Sequence, residues 1–237
     1  MESTYHPQIH QFLELIQQQD NKSLTGKKIL DCGAGGKNPP LILFGQKGLE
    51  SFGIDLSAER LLMAKEAAEK HGVSLNLQEG DMRSLPFEDD YFDFVYEFYS
   101  MCHLRKRDTL IAIEEMKRVV KPGGLIFLGF MTADSWPLTG RPNEYNEWIQ
   151  EENGQPTLHS VFFDEETYEF VEGLKILSGE QERRSLVSEF ESMSLQEWMA
   201  MHQDDWFYDR DEWEAMYPER LAEANYSHRF FMLEKQI

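Results

Sequence analysis

Between Lys27 and Met131 the sequence switches repeatedly between two periods, and this switching constrains the fold more than any other feature. Lys27–Cys32, Ser51–Leu56, Leu75–Gln78, Phe92–Phe98 and Leu125–Phe130 are short apolar runs that read as strands. They show little polar alternation, as expected of strands buried on both faces. Helical spacing fills the intervals: 41–44 behind Pro39 and Pro40, Ala58–Lys70, and Arg107–Val120. Ser57 is the expected N-cap of the second of these and Gly72 its stop signal. Ile111, Met116 and Val119 are read as the apolar side of the third, and Pro122-Gly123-Gly124 as a turn. Strands alternating with helices wind into a parallel sheet with right-handed crossovers.

The flanks follow a looser pattern. Residues 8–19 have helical spacing. After Met131, residues 132–163 read as an excursion, Asp164–Val171 as a short helix capped by Asp164, and Leu174–Ser178 as a sixth strand. Residues 186–226 are acidic and aromatic, with Trp198, Trp206, Phe207, Tyr208 and Trp213, and read as helices in an insertion. His228–Glu234 is a last strand. The expected fold is α/β and doubly wound. Its mostly parallel, seven-stranded, Rossmann-like sheet has an antiparallel C-terminal edge strand and helical, aromatic insertions. The whole of 1–237 reads as one domain, with 132–163 and 186–226 lying over a substrate.

Charge narrows the partners. The formal net charge is −20, and residues 132–237 hold 24 Asp+Glu against 8 Lys+Arg. Such a field repels polyanions, so nucleic acid and anionic membrane surfaces are not expected partners; a neutral or cationic small molecule suits it better. The two cysteines, Cys32 and Cys102, form no metal or redox motif, and no metal site is expected. The N-terminal residues lack a signal-peptide pattern, and no apolar run is long enough for a membrane span, so a cytoplasmic protein is expected.

The chemistry-bearing residues gather where strands end. The first strand runs into Asp31-Cys32-Gly33-Ala34-Gly35-Gly36. Glycines there let a ligand approach bare backbone at the carboxyl edge of the sheet, where open α/β folds bind ligands. The second strand ends in Gly53-Ile54-Asp55, and a carboxylate at that place accepts both hydroxyls of a ribose. The third ends in Glu79-Gly80-Asp81-Met82, an acid beside an apolar side chain, suited to an adenine amine and ring. Taken singly, Asp55 and Asp81 also read as helix caps.

In this ordered set the chain resembles the class I S-adenosylmethionine-dependent methyltransferases, in the group that includes small-molecule methylases. Asp31, Gly33 and Gly35 match the family's acid-and-glycine loop, with Lys37 where the family has its third glycine. Asp55 matches its ribose acid and Asp81-Met82 its adenine contact. Phe92-Asp93-Phe94-Val95 matches its fourth strand, Met101-Cys102-His103-Leu104 the segment that follows, and Val119–Gly124 the turn before the fifth. The resemblance implies S-adenosylmethionine as cofactor, held by Asp31, Gly33, Ala34, Gly35, Asp55, Leu56, Asp81, Met82 and Glu97. It also implies in-line methyl transfer to a small acceptor. His103 is the candidate general base, with a packed, hydrogen-bonded histidine as the alternative. Tyr5, Tyr99, Trp136 and His159 are candidates for a pocket wall.

Three rival readings remain. A non-catalytic binding module would keep the cleft without the transfer. A related fold would run another reaction on a sulfonium cofactor. An NAD-dependent oxidoreductase would need a glycine at Asn38, three residues after Gly35, and lacks it.

Overall fold

The computed structural model describes residues 5–19, 23–133, 138, 141–152, 154–185 and 225–236. Helix α1 (Pro7–Gln19) precedes β1 (Lys28–Cys32), α2 (Leu41–Gln46), β2 (Glu50–Asp55), α3 (Ala58–Lys70), β3 (Asn76–Glu79) and β4 (Phe92–Tyr96). A single 3-10 turn at Met101–His103 leads to α4 (Lys106–Val119) and β5 (Val120–Met131). A hairpin of β6 (Glu147–Glu152) and β7 (Gln155–Ser160) follows, then α5 (Asp164–Phe170), β8 (Leu174–Ser185) and β9 (Asn225–Lys235).

Seven strands form one sheet in the order β3-β2-β1-β4-β5-β9-β8. β1 to β5 pair in parallel, and β9 is antiparallel to both β5 and β8. The expected antiparallel end is therefore present, with the last strand slotted inside β8. The alternation of the central strands shows why the sheet is buried on both sides. Ile29, Phe94, Tyr96, Leu125, Phe127, Phe230 and Met232 face a core closed by Phe12 and Ile16 of α1 and Phe44 of α2. Their neighbours Leu30, Val95, Ile126, Leu128, Phe231 and Leu233 face a second core, closed by Ala112, Ile113 and Met116 of α4 and Phe170 of α5.

Local signals explain most element ends. The Ser57 hydroxyl accepts the Arg60 N–H at 3.2 Å, as the sequence predicts for an N-cap. Asp164 is the first residue of α5 and not its cap; Phe163 holds the cap position, and its N–H donates to Glu166 Oε2 at 3.1 Å. Ile111 is 49% exposed, so it is not on the apolar face of α4. That face is Thr109, Ala112, Ile113, Met116 and Val119, at the spacing a helix against a sheet requires. The Pro122-Gly123-Gly124 turn is a bulge within β5: Phe92 pairs with Val120 while Phe94 pairs with Leu125.

Residues 132–163 hold more structure than their composition suggests. Glu152 pairs with Gln155, and Gly154 sits at φ +71. Asn-Gly is the sequence signal for such a hairpin. Phe162 bridges to Thr132 and is buried in the second core. Most of the insertion read at 186–226, with Trp206-Phe207-Tyr208, lies outside the described residues, as does Trp136.

Candidate functional site

The carboxyl ends of β3, β2, β1 and β4 lie side by side, because Asp55 pairs with Glu79, Cys32 with Ile54, and Asp31 with both Gly53 and Tyr96. The glycine loop after β1 turns sharply: Gly33 N–H and Ala34 N–H both donate to the Ile54 carbonyl at 2.9 Å. Gly35 N–H donates to Asp55 Oδ2 at 3.0 Å and Gly36 N–H to the Arg60 carbonyl at 3.0 Å. All four amides of the loop are thus used inside the protein.

Each glycine has its own reason. Gly33 sits at φ +111, and a Cβ there would overlap the Ser100 side chain. Gly35 has ordinary φ, but a Cβ would lie 2.6 Å from Arg60 Cβ and against the Asp55 carboxylate. Gly36 sits at φ +128 with open space where its Cβ would be. The second left-handed position in the loop therefore belongs to Gly36, while Lys37 is exposed. Ala34 is buried in the first core and packs on Gly53, where any Cβ would meet it.

The acids divide into three situations. Asp55 binds the loop to the start of α3: Oδ2 takes Gly35 N–H and Oδ1 takes Ser57 N–H at 2.9 Å. Asp81 is held by Arg83, whose backbone and side-chain N–H groups reach both carboxylate oxygens at 2.6–3.0 Å. The Arg83 hydrogen bonds, set against partial burial, keep the Asp81 carboxyl below its ordinary range. An amine reaching Asp81 would compete with that guanidinium. Asp31 is different. It is 3% exposed, and among the described residues no donor reaches its carboxylate. Burial first, then the nearby charges of Glu97 and Asp55, push its carboxyl well up. A buried acid without a partner, beside bare glycine backbone, suits a cationic group such as the ammonium of an amino-acid tail. Leu56, next to Asp55, is 65% exposed and offers an apolar surface for a flat ring, while Met82 packs on the second core. These residues fit a nucleoside with a cationic tail.

Glu97 lies fully buried beneath the turn after β4. Oε1 accepts Ser100 N–H at 2.7 Å and Met101 N–H at 2.8 Å, and Oε2 faces Gly129 N–H at 3.4 Å. Burial pushes its carboxyl up to about 7, against the pull of those amides. The folded protein thus holds this proton more tightly than the unfolded chain does, so the stabilisation is complete below pH 4.5 and is lost as pH rises through 7. At about 1.4 kcal/mol per unit, roughly 3 kcal/mol is involved. The thermal midpoint should fall as pH rises across that window, and Glu97→Gln should flatten the fall. Superimposable profiles for the two proteins would remove Glu97 as the cause.

Tyr99, in the same turn, has φ +68, which is rare for a bulky residue and is typical of functional sites. Its hydroxyl lies 3.4 Å from His228 Nδ1 on β9, and Phe98 stacks on Phe230. His228, Ser100 and His6, which packs on Phe98, escaped the sequence reading. No periodicity marks a β9 histidine as a neighbour of β4. His103, in the 3-10 turn, is exposed, and its Nδ1 lies 3.0 Å from the Leu158 carbonyl. A carbonyl only accepts, so Nδ1 carries a proton, which in the neutral ring makes Nε2 the lone-pair nitrogen. Its ring meets buried His159 edge-on at 4.9 Å. Tyr5 belongs to the first core, and its hydroxyl donates to the Pro39 carbonyl. Cys32 and Cys102 are buried free thiols. Among the described residues no group of three metal-ligating side chains gathers, and no helix is long and apolar enough to cross a membrane.

Residues 30–128 match the methyltransferase domain family. Over 104 residues the chain is 38% identical to a demethylmenaquinone methyltransferase of Staphylococcus haemolyticus, a match covering 43% of this chain and 42% of that one. The matched region therefore spans well under half of that relative. An S-adenosylmethionine-dependent methyltransferase of Methanosarcina mazei superposes with a TM-score of 0.66 at 17% identity, over 99% of this chain and 100% of that one. Phosphoethanolamine N-methyltransferase 2 of Haemonchus contortus, solved with S-adenosylmethionine bound, superposes with a TM-score of 0.63 at 21% identity, over 96% of this chain and 53% of that one.

Proposed function

We propose that this chain, which carries a class I S-adenosylmethionine-dependent methyltransferase domain, transfers the cofactor's methyl group to a small organic acceptor. The observation that carries the reading is the cradle at the carboxyl edge: buried Asp31, which no donor among the described residues reaches, glycine backbone at 33–36, Asp55 and exposed Leu56. When bound there, the sulfonium supplies a methyl group already activated for in-line displacement. The chain's own part is to hold and align. Asp31 faces the ammonium, Asp55 the ribose hydroxyls, and Leu56 and Met82 the base, with Asp81 reaching the base amine when Arg83 yields. The Gly33, Ala34 and Gly35 backbone lies along the tail, and Glu97 keeps the β4 turn in place beneath it.

Alignment of this kind is worth up to about 7–11 kcal/mol of barrier. Where the acceptor carries a proton, Nε2 of His103 takes it, a contribution of about 10²–10⁴-fold. His103→Ala should then lower kcat within that range and leave cofactor affinity unchanged.

The loop's amides argue against a dinucleotide. A pyrophosphate needs N–H groups aimed at it, and here all four are used by Ile54, Asp55 and Arg60, above two buried acids. The small-acceptor reading is supported by the quinone precursor named for the staphylococcal relative. It is supported also by where the C-terminal insertion leaves the sheet. Ser185 pairs with Asn225, and Ser227 bonds Thr132 just past the end of β5, so β8 ends and β9 begins at the site's own edge.

The test is transfer of labelled methyl to a cell extract separated into protein, nucleic-acid, lipid and small-molecule fractions. Label in the small-molecule fraction, lost in Asp31→Ala, is the expected result. Label confined to protein or nucleic acid would refute the acceptor class, and binding without any transfer would refute the enzyme.

A further inference from the structure

Outside the cradle, a cavity of about 360 Å³ opens between the β6–β7 hairpin and the start of α4. Arg105, Arg141, Pro142, Asn143, Ile149 and Leu158 line it. Its single carboxylate, Glu147, is already committed. The Glu147 side chain is 4% exposed, and it accepts Arg105 Nη1 at 3.1 Å, Lys106 N–H at 3.0 Å and Asn143 Nδ2 at 2.7 Å. Two guanidinium groups against one saturated carboxylate leave a net positive charge. Among the described residues no acidic group or carbonyl reaches the Arg141 side chain. The opposite wall is apolar: Ile149 is 61% exposed, while its neighbour Trp148 packs inward on Met131 and Cys102.

Two of the walls are tied to the rest of the fold. Lys106 binds both oxygens of Glu166 at 2.7 Å, tying α4 to α5, and the Ser160 hydroxyl donates to the Leu104 carbonyl, tying β7 to the 3-10 turn. In a chain of net charge −20, a cationic cavity with an apolar face is a local exception, and local charges outweigh the distant field at contact range.

We propose that this cavity recognises a small organic monoanion, a carboxylate on a flat or apolar body, with Arg141 and the outer donors of Arg105 on the carboxylate and Ile149 under the body. Leu158 connects it to the reaction, since this residue lines the cavity and its carbonyl orients His103. On the methyl-transfer reading, the anion is one end of the acceptor. The acidic surface would then act on solubility and encounter, and the acceptor's charge would be set by this cavity.

The test uses the full chain, with benzoate as probe and benzyl alcohol and benzylamine as charge controls, followed by ligand-observed NMR. S-adenosylhomocysteine binding is measured by calorimetry in parallel. Benzoate should bind at least about tenfold tighter than the alcohol or the amine, and Arg141→Gln should cost about tenfold for benzoate only. Arg141 is exposed, so this variant should fold; its S-adenosylhomocysteine affinity should stay within about twofold of the parent. Absent benzoate binding, equal binding of the alcohol, or indifference to Arg141→Gln would each overturn the proposal. Charge-selective benzoate binding in a protein that ignores S-adenosylhomocysteine would uphold the cavity and defeat the methyl-transfer reading.

Discussion

Gly33→Ala should abolish measurable cofactor binding and destabilise the protein. Two separate costs act at this position. The backbone has φ +111, which costs a residue with a side chain about 1–3 kcal/mol, and the new Cβ overlaps the Ser100 side chain, which costs about 1–3 kcal/mol more. If the backbone instead relaxes, it moves the loop that lies along the cofactor tail, and each 1.4 kcal/mol of misfit is a tenfold loss of affinity. The two costs are separable. Ser100→Gly removes both atoms that the new Cβ would meet, leaving Ser100 Cα at 4.0 Å. The double variant should therefore recover the steric part and none of the backbone part, a coupling of about 1–3 kcal/mol. Thermal midpoints and S-adenosylhomocysteine titrations of the four proteins measure this directly. Strict additivity would show that Ser100 does not limit Gly33.

Asp55→Ala should weaken cofactor binding by about 1–3 kcal/mol, close to tenfold at the low end and over a hundredfold at the high end. The carboxylate has two roles. It holds Gly35 and Ser57 by their amides, at 3.0 and 2.9 Å, and it faces the ribose of the bound nucleoside. Removing it leaves two N–H groups without an acceptor and lets the loop drift from α3. Asp55→Asn keeps one oxygen but turns an amide NH₂ toward a donor, so it should fall between alanine and the parent. A drop in thermal midpoint with unchanged affinity would show that Asp55 only caps the loop. The reverse would show that it touches only the ligand.

These two residues mark how far the sequence could be read. β1 to β5, α3 with its Ser57 cap, and the ordering of acids along one sheet edge follow from periodicity, capping chemistry and the glycine run. The jobs of the individual acids do not. Nothing in Asp31, Asp55 and Asp81 as residue types says that the first is unpartnered, the second holds a loop, and the third is held by Arg83. Those differences depend on burial and on neighbours distant in sequence. The same holds for the glycines, where Gly33 and Gly36 take the left-handed positions while Gly35 is required by the room that Asp55 and Arg60 leave.

The missed elements have physical reasons as well. β6 and β7 are rich in Glu and Gln and carry a Pro, so only Asn153-Gly154 betrays the hairpin. Ile111 stands two residues from Ile113 on α4, which on a helix is nearly the opposite side; apolar identity alone misplaces it. The Tyr99–His228 contact joins positions far apart in the chain and is set entirely by β9 lying beside β5.

On the proposed function, the edge from Asp31 to Gly36, with Asp55 and Leu56, receives an adenosine bearing a cationic amino-acid tail. Calorimetric titration of the full chain with S-adenosylmethionine and, separately, with NAD tests it most directly. One-site binding of S-adenosylmethionine at about micromolar Kd, near −8 kcal/mol, and no heat with NAD are the expected results. Tight NAD binding with no response to the sulfonium nucleoside would contradict the proposed function.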